Sequence, residues 1–146
     1  MNTPVIQGFQ LSQQQQHLWA LQREGASYEA QCAIRLDGEL NTNILHDALC
    51  LVVERCEVLR TTFHQLPNVK VPMQVVADFS APEWRTLNLS EHEESQLDVM
   101  IEKLLQQEAR ASFEFESGPL VKSLLLTLAS RRHLLILTLP ALIADT

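Results

Sequence analysis

The chain has 146 residues, of which 46% are hydrophobic and 20% charged, and its net charge is −7. That length suits one domain or one lobe, able to bury roughly 70% of the surface its unfolded chain would expose. The acidic balance, with Arg131-Arg132 as the one basic doublet, excludes non-specific nucleic-acid binding.

Cys32, Cys50 and Cys56 form no CxxC pair and are odd in number, so reduced, partly buried thiols are expected rather than a disulfide or a zinc site. No charged segment followed by an apolar run opens the chain, so no signal peptide is expected. The longest apolar-rich stretch, 134–144, is about half of what a membrane span needs and is interrupted by Thr138 and Pro140. A cytoplasmic protein with no membrane partner is the expectation.

In chain order, Gln13 to Gln16 lie in a helix-compatible segment flanked by Leu11, Trp19 and Leu21, with Ser12 as its N-cap; the glutamines read as polar helix surface. Residues 31–36 predict a strand that ends at Asp37-Gly38. Asn41 caps a helix reaching about Cys56, with Leu45, Ala48, Leu49, Val52 and Val53 on one face. Residues 58–63, 73–76 and 84–87 predict short strands, and Pro67-Asn68 a loop. Ser90 with Glu93 fits a capping box opening a helix that carries Leu97, Ile101, Leu104 and Leu105 inward to about Ala109. Ser117-Gly118-Pro119 breaks the chain. Residues 120–128 and 133–139 then predict two leucine-rich strands, central in a sheet and joined by a turn at 130–132. The sum is an α+β layer, two long helices packed on a mixed β-sheet.

Four segments carry a resemblance. Leu11-Ser12-Gln13-Gln14-Gln15-Gln16-His17-Leu18-Trp19 comes first. Then Leu36-Asp37-Gly38-Glu39-Leu40 leads through a helix into Arg55-Cys56-Glu57-Val58-Leu59-Arg60-Thr61-Thr62-Phe63. The last two are Phe113-Glu114-Phe115-Glu116-Ser117-Gly118-Pro119-Leu120 and Pro140-Ala141-Leu142-Ile143-Ala144-Asp145-Thr146. In this order they resemble the condensation domains of nonribosomal peptide synthetases: an opening motif, RHExLRTxF with Cys56 for histidine, a Gly-Pro-Leu segment, and the place of HHxxxDG. The resemblance implies a chloramphenicol-acetyltransferase-like lobe. Residues 1–146 would be the N-terminal lobe, and the C-terminal lobe, which completes a tunnel, is absent from this chain.

In the family the second histidine of HHxxxDG positions the attacking amine or assists proton transfer, as amide formation joins substrates held on the phosphopantetheine arms of carrier proteins; no cofactor binds the lobe itself. A side chain with a near-neutral pKa, within about 3 Å of the nucleophile, suits that task. Counted back from Asp145, the two histidine positions are Pro140 and Ala141, neither of which has a side-chain donor or acceptor. The DxxxxDxxS pattern of cyclisation domains and the HxxxD of plant-type acyltransferases fail at the same loop. No catalytic residue is therefore assigned. The resemblance leaves Asp145 as a structural residue paired with Arg55 or Arg60, both of which match the motif.

His17, His46, His64, His92 and His133 are dispersed and read as surface or structural, with His46 and His92 on polar helix faces and His133 at a turn. Trp19 and Trp84 read as packing anchors, and Ser12 as a cap rather than a nucleophile, since no glycine elbow surrounds it. Three readings remain open. One is a non-catalytic condensation-type scaffold that docks carrier proteins or recruits a partner such as a tailoring enzyme. Another is a divergent enzyme forming an amide or other acyl bond by positioning. The third is a half-domain inactive alone.

Overall fold

A computed structural model describes residues 8–23, 28–110 and 112–144. Among these residues, seven strands and three α-helices follow in the order β1 (Gly8–Gln10), α1 (Gln13–Arg23), β2 (Glu29–Asp37), α2 (Thr42–Arg55), β3 (Thr61–His64), β4 (Met73–Val76), β5 (Glu83–Asn88), α3 (Glu94–Glu108), β6 (Lys122–Ala129) and β7 (Arg132–Pro140). The strands form two sheets rather than one. The larger has the order β2-β7-β6-β5 and the smaller β1-β4-β3. The larger is mixed: β5 runs parallel to β6, while β6–β7 and β2–β7 are antiparallel.

The leucine runs of β6 and β7 are central, as expected. Leu124, Leu125 and Leu126 are all buried, which requires a cover on each face of the sheet. On one face α3 packs Leu97, Met100, Ile101 and Leu104 against Leu124, Leu126 and Ile136. Toward the other, α2 sets the His46 ring against Trp84 with centroids 5.1 Å apart. Trp84 registers beside Ser123 and so shares the face of Leu125, one residue out of phase with the α3 face.

Asn41 caps α2 as expected, accepting from the Asn43 and Ile44 amides at 3.1 Å. Leu45 and Leu49 are half-buried and Val53 is buried, but Ala48 and Val52 face outward, so the inward stripe is narrower than its periodicity suggests. The stretch expected as a strand at 58–63 divides: Glu57–Arg60 is a 3-10 turn and extended chain begins at Thr61.

The capping box expected at Ser90 does not form. Ser90 donates its amide to Asn88 Oδ1 at 2.9 Å, an Asx turn, and His92 donates to the Leu89 carbonyl. The chain spends 90–93 turning, and α3 starts at Glu94 without a side-chain cap. His92 thus lies in that turn rather than on a helix, His46 is half-buried against Trp84, and His133 is buried on β7 rather than at the turn. Cys50 is half-buried, while Cys32 and Cys56 are exposed, against the expectation of burial. No helix among the described residues is long and apolar enough to cross a membrane.

Candidate functional site

A second core forms where α1, the smaller sheet and the end of β7 meet. Leu11, Phe63, Phe113, Leu120, Leu142 and Ile143 are buried together, with Leu18, Trp19 and Phe115 against them. Trp19 lies over Phe63 and meets Phe115 edge-on, with ring centroids 6.4 and 5.6 Å apart. Three of the four recognised segments therefore converge here: Leu11 to Trp19, Thr61 to Phe63, and Phe113 to Leu120. The fourth enters as β7 ends, because Pro140 closes that strand opposite Glu29 and the chain turns inward.

That turn is held at several points. Ala141 donates its amide to the Tyr28 carbonyl at 2.8 Å and Ile143 to Pro140 at 3.0 Å. Leu142 and Ile143 are 2% and 8% exposed and are built into the second core. Gln15 donates its side-chain amide to the Leu142 carbonyl at 2.9 Å. Beside the turn is a pocket of ≈ 230 Å³ lined by Ala141, Ala144, Ser12, Gln14, Leu18 and Val58, among others.

No titratable side chain is among the described residues lining this pocket. Pro140 is fully buried, and Ala141 offers only a methyl group. No histidine is among the described residues lining the pocket. His17 is exposed on α1, His46 lies against Trp84, and His64 Nε2 meets Thr62 Oγ1 at 2.9 Å. A neutral amide and hydroxyl lining can bind and orient a polar group but cannot accept a proton from an ammonium at neutral pH.

Asp145, proposed from sequence as one half of an Arg–Asp brace, lies outside the described residues. Of its two candidate partners, Arg60 is committed locally. Its guanidinium donates to the Ala77 carbonyl and, through Nε, to the Glu54 carbonyl at 3.2 Å, and it lies 3.9 Å from Glu57. Arg55, the last residue of α2, is exposed.

Ser12 is a cap, as expected: Gln15 donates its amide to Ser12 Oγ at 3.2 Å. Sequence reasoning missed the inward role of Gln15, which hides in a run of four identical residues. It also missed Arg85 and Glu108, a charged pair between β5 and α3 in which the carboxylate is buried. A signal was available for the second, since Glu108 continues the apolar register of Leu97, Ile101 and Leu104.

Comparisons with known proteins agree with this geometry. The family model described as Condensation domain matches residues 5–146. The chain is 33% identical over 147 residues to a linear gramicidin synthase of Brevibacillus parabrevis, covering 97% of this chain and 2% of that protein. It is 35% identical over 143 residues to chondramide synthase of Chondromyces crocatus, covering 92% of this chain and 4% of that protein. Among solved structures, a mutant starter condensation domain of rhizomide synthetase superposes with a TM-score of 0.83 at 18% identity, over 96% of this chain and 34% of that one. The first condensation domain of the calcium-dependent antibiotic synthetase, with a substrate analogue, gives 0.76 at 22% identity, over 91% and 32%. The chain thus spans a few per cent of those relatives and about a third of the solved domains.

Proposed function

The chain belongs to the condensation-domain family, and on that premise we propose that it is the N-terminal lobe of a catalytically degenerate condensation-type domain of a nonribosomal peptide synthetase. Its task is to dock carrier proteins or to recruit a partner enzyme, such as a tailoring enzyme, to the substrate they carry. The observation that carries this reading is the contrast at one loop. Pro140 and Ala141 stand where the family keeps its histidines, and no titratable group is among the described residues lining the adjoining pocket, yet Leu142, Ile143 and Gln15 hold the loop to the core. Random decay of an unused lobe would not be expected to keep such anchoring beside the lost base.

In this reading substrates arrive on phosphopantetheine arms, the lobe binds no cofactor of its own, and a C-terminal lobe closes the tunnel of which the pocket is one wall. Loss of a general base costs about 10²–10⁴-fold in rate, which moves amide formation well below a useful turnover. The test pairs the full-length protein with loaded donor and acceptor carrier proteins. Saturable binding without an amide product supports the proposal. Amide formation at ordinary turnover, lost on substituting a pocket residue of this lobe, contradicts it.

A second reading rests on the pocket itself. Ser12 and Gln14 offer neutral donors and acceptors beside an apolar wall, a lining that suits orienting an amine against a thioester. Catalysis by positioning alone then gives slow acyl transfer. Ala141→His restores a base in that case and raises the rate. No change in rate counts against this second reading.

A further inference from the structure

Gln15 is half-buried and uses both ends of its side-chain amide. Its Oε1 accepts the Ser12 amide proton at 2.9 Å. Its Nε2 donates to the Leu142 carbonyl at 2.9 Å and lies 3.4 Å from Gln74 Oε1. Gln74, on β4, in turn donates its Nε2 to the Gln10 carbonyl of β1 at 3.1 Å. The orientation of each amide follows from its fixed neighbours. A backbone N–H at Ser12 can only donate, and the carbonyls of Leu142 and Gln10 can only accept, so neither amide can be flipped without opposing like groups.

We infer that Gln15 is the positioning residue of the loop at 140–144, and that with Gln74 it forms an amide relay tying that loop to the smaller sheet. An ordinary capping box is satisfied by a glutamate, which supplies an acceptor alone. The position needs an amide because the same side chain must also donate to the loop. The relay runs from β1 through β4 and α1 to the pocket wall that bears Ala141, so the smaller sheet and the pocket move as one unit. The inference rests on assigning 140–144 as the family's catalytic loop, but its test reads the loop directly and does not depend on docking.

Gln15→Glu separates the two roles. The carboxylate keeps the acceptor for Ser12 but turns an oxygen toward the Leu142 carbonyl. In the full-length protein, hydrogen exchange at the Ala141 and Ile143 amides is expected to quicken about tenfold relative to wild type, the change that losing one net hydrogen bond produces. Exchange in α1, whose cap is retained, and in β6 is expected to stay unchanged. As the pH falls far enough to protonate the introduced carboxyl, which can then donate, the ratio to wild type returns toward one. Unchanged exchange at 141–144 overturns the inference, as does an equal acceleration across α1 and β6, which marks a general loss of stability. If Gln15→Glu does not fold, Gln74→Met reads the relay from its far end. Faster exchange at 141–144 then supports it, and no change overturns it. Failure of carrier-protein binding touches the proposed function and leaves this result standing.

Discussion

Glu108 occupies a place on α3 that the helical register reserves for an apolar side chain, and Arg85 on β5 makes that tenable. The guanidinium donates to the buried carboxylate and also meets Glu83 at 2.9 Å. The hydrogen bond to Glu108 is the main cause that raises the Arg85 pKa above its ordinary value. Arg85→Met leaves a carboxylate that is 5% exposed without its counter-charge, and a loss of about 2–3 kcal/mol is expected in denaturant unfolding. Arg132 and Glu94 form a pair of a different kind, on the surface. The Arg132 hydrogen bond holds the Glu94 carboxyl below its ordinary 4.5. A depressed carboxyl contributes stability that is present above its unfolded pKa and lost as the pH falls through the folded one. Thermal midpoints of wild type and Glu94→Gln are therefore expected to differ slightly at neutral pH and to converge below the ordinary carboxylate value. A difference that persists in acid counts against this.

Among the elements, those fixed by local pattern were legible and those fixed by pairing were not. α3 follows from Leu97, Ile101 and Leu104 at the helical period, and β6 and β7 follow from their leucine runs, continuous apolar stretches of the kind a sheet covered on both faces requires. The division into two sheets has no local signal. Nothing in Met73–Val76 states that β4 pairs with β1 and β3 while Glu83–Asn88 joins β6. The start of α3 was misjudged because two local devices compete at one place, and the Asn88 side chain takes the Ser90 amide before a helix can begin. The breadth of the inward face of α2 was overstated, since spacing cannot tell how much of an apolar stripe a sheet will cover. That difference is measurable. Leu126→Ala, at a fully buried site on β6, is expected to cost about 3 kcal/mol. Leu51→Ala, at a side chain 51% exposed on α2, is expected to stay within about 0.5 kcal/mol.

For the whole molecule, the loop at 140–144 follows the end of β7 and packs Leu142 and Ile143 into the core shared with α1 and the smaller sheet. This part of the site was legible in sequence only through family resemblance. Periodicity places Leu142 and Ile143 in an apolar run but does not say that Gln15, more than a hundred residues earlier, anchors their backbone. The brace proposed for Asp145 also acts at this scale. Its candidate partners remain Arg55, which is exposed, and Arg60, which also meets Ala77, Glu54 and Glu57. The arginine that braces Asp145 is expected to be the one whose alanine variant quickens hydrogen exchange at 141–144 as Asp145→Ala does, with the double variant no worse than either alone. Additive effects would separate the two residues.

Binding and chemistry part company in the proposed function, and one experiment reads both. The full-length protein is titrated with aminoacyl-loaded carrier proteins while intact-protein mass spectrometry follows the mass of each carrier arm. The expected result is saturable binding, with both arms keeping their original loads over many times the turnover period of an active condensation domain. Transfer of the donor's acyl group to the acceptor arm within a few seconds, at the wild-type Ala141 loop, would contradict it.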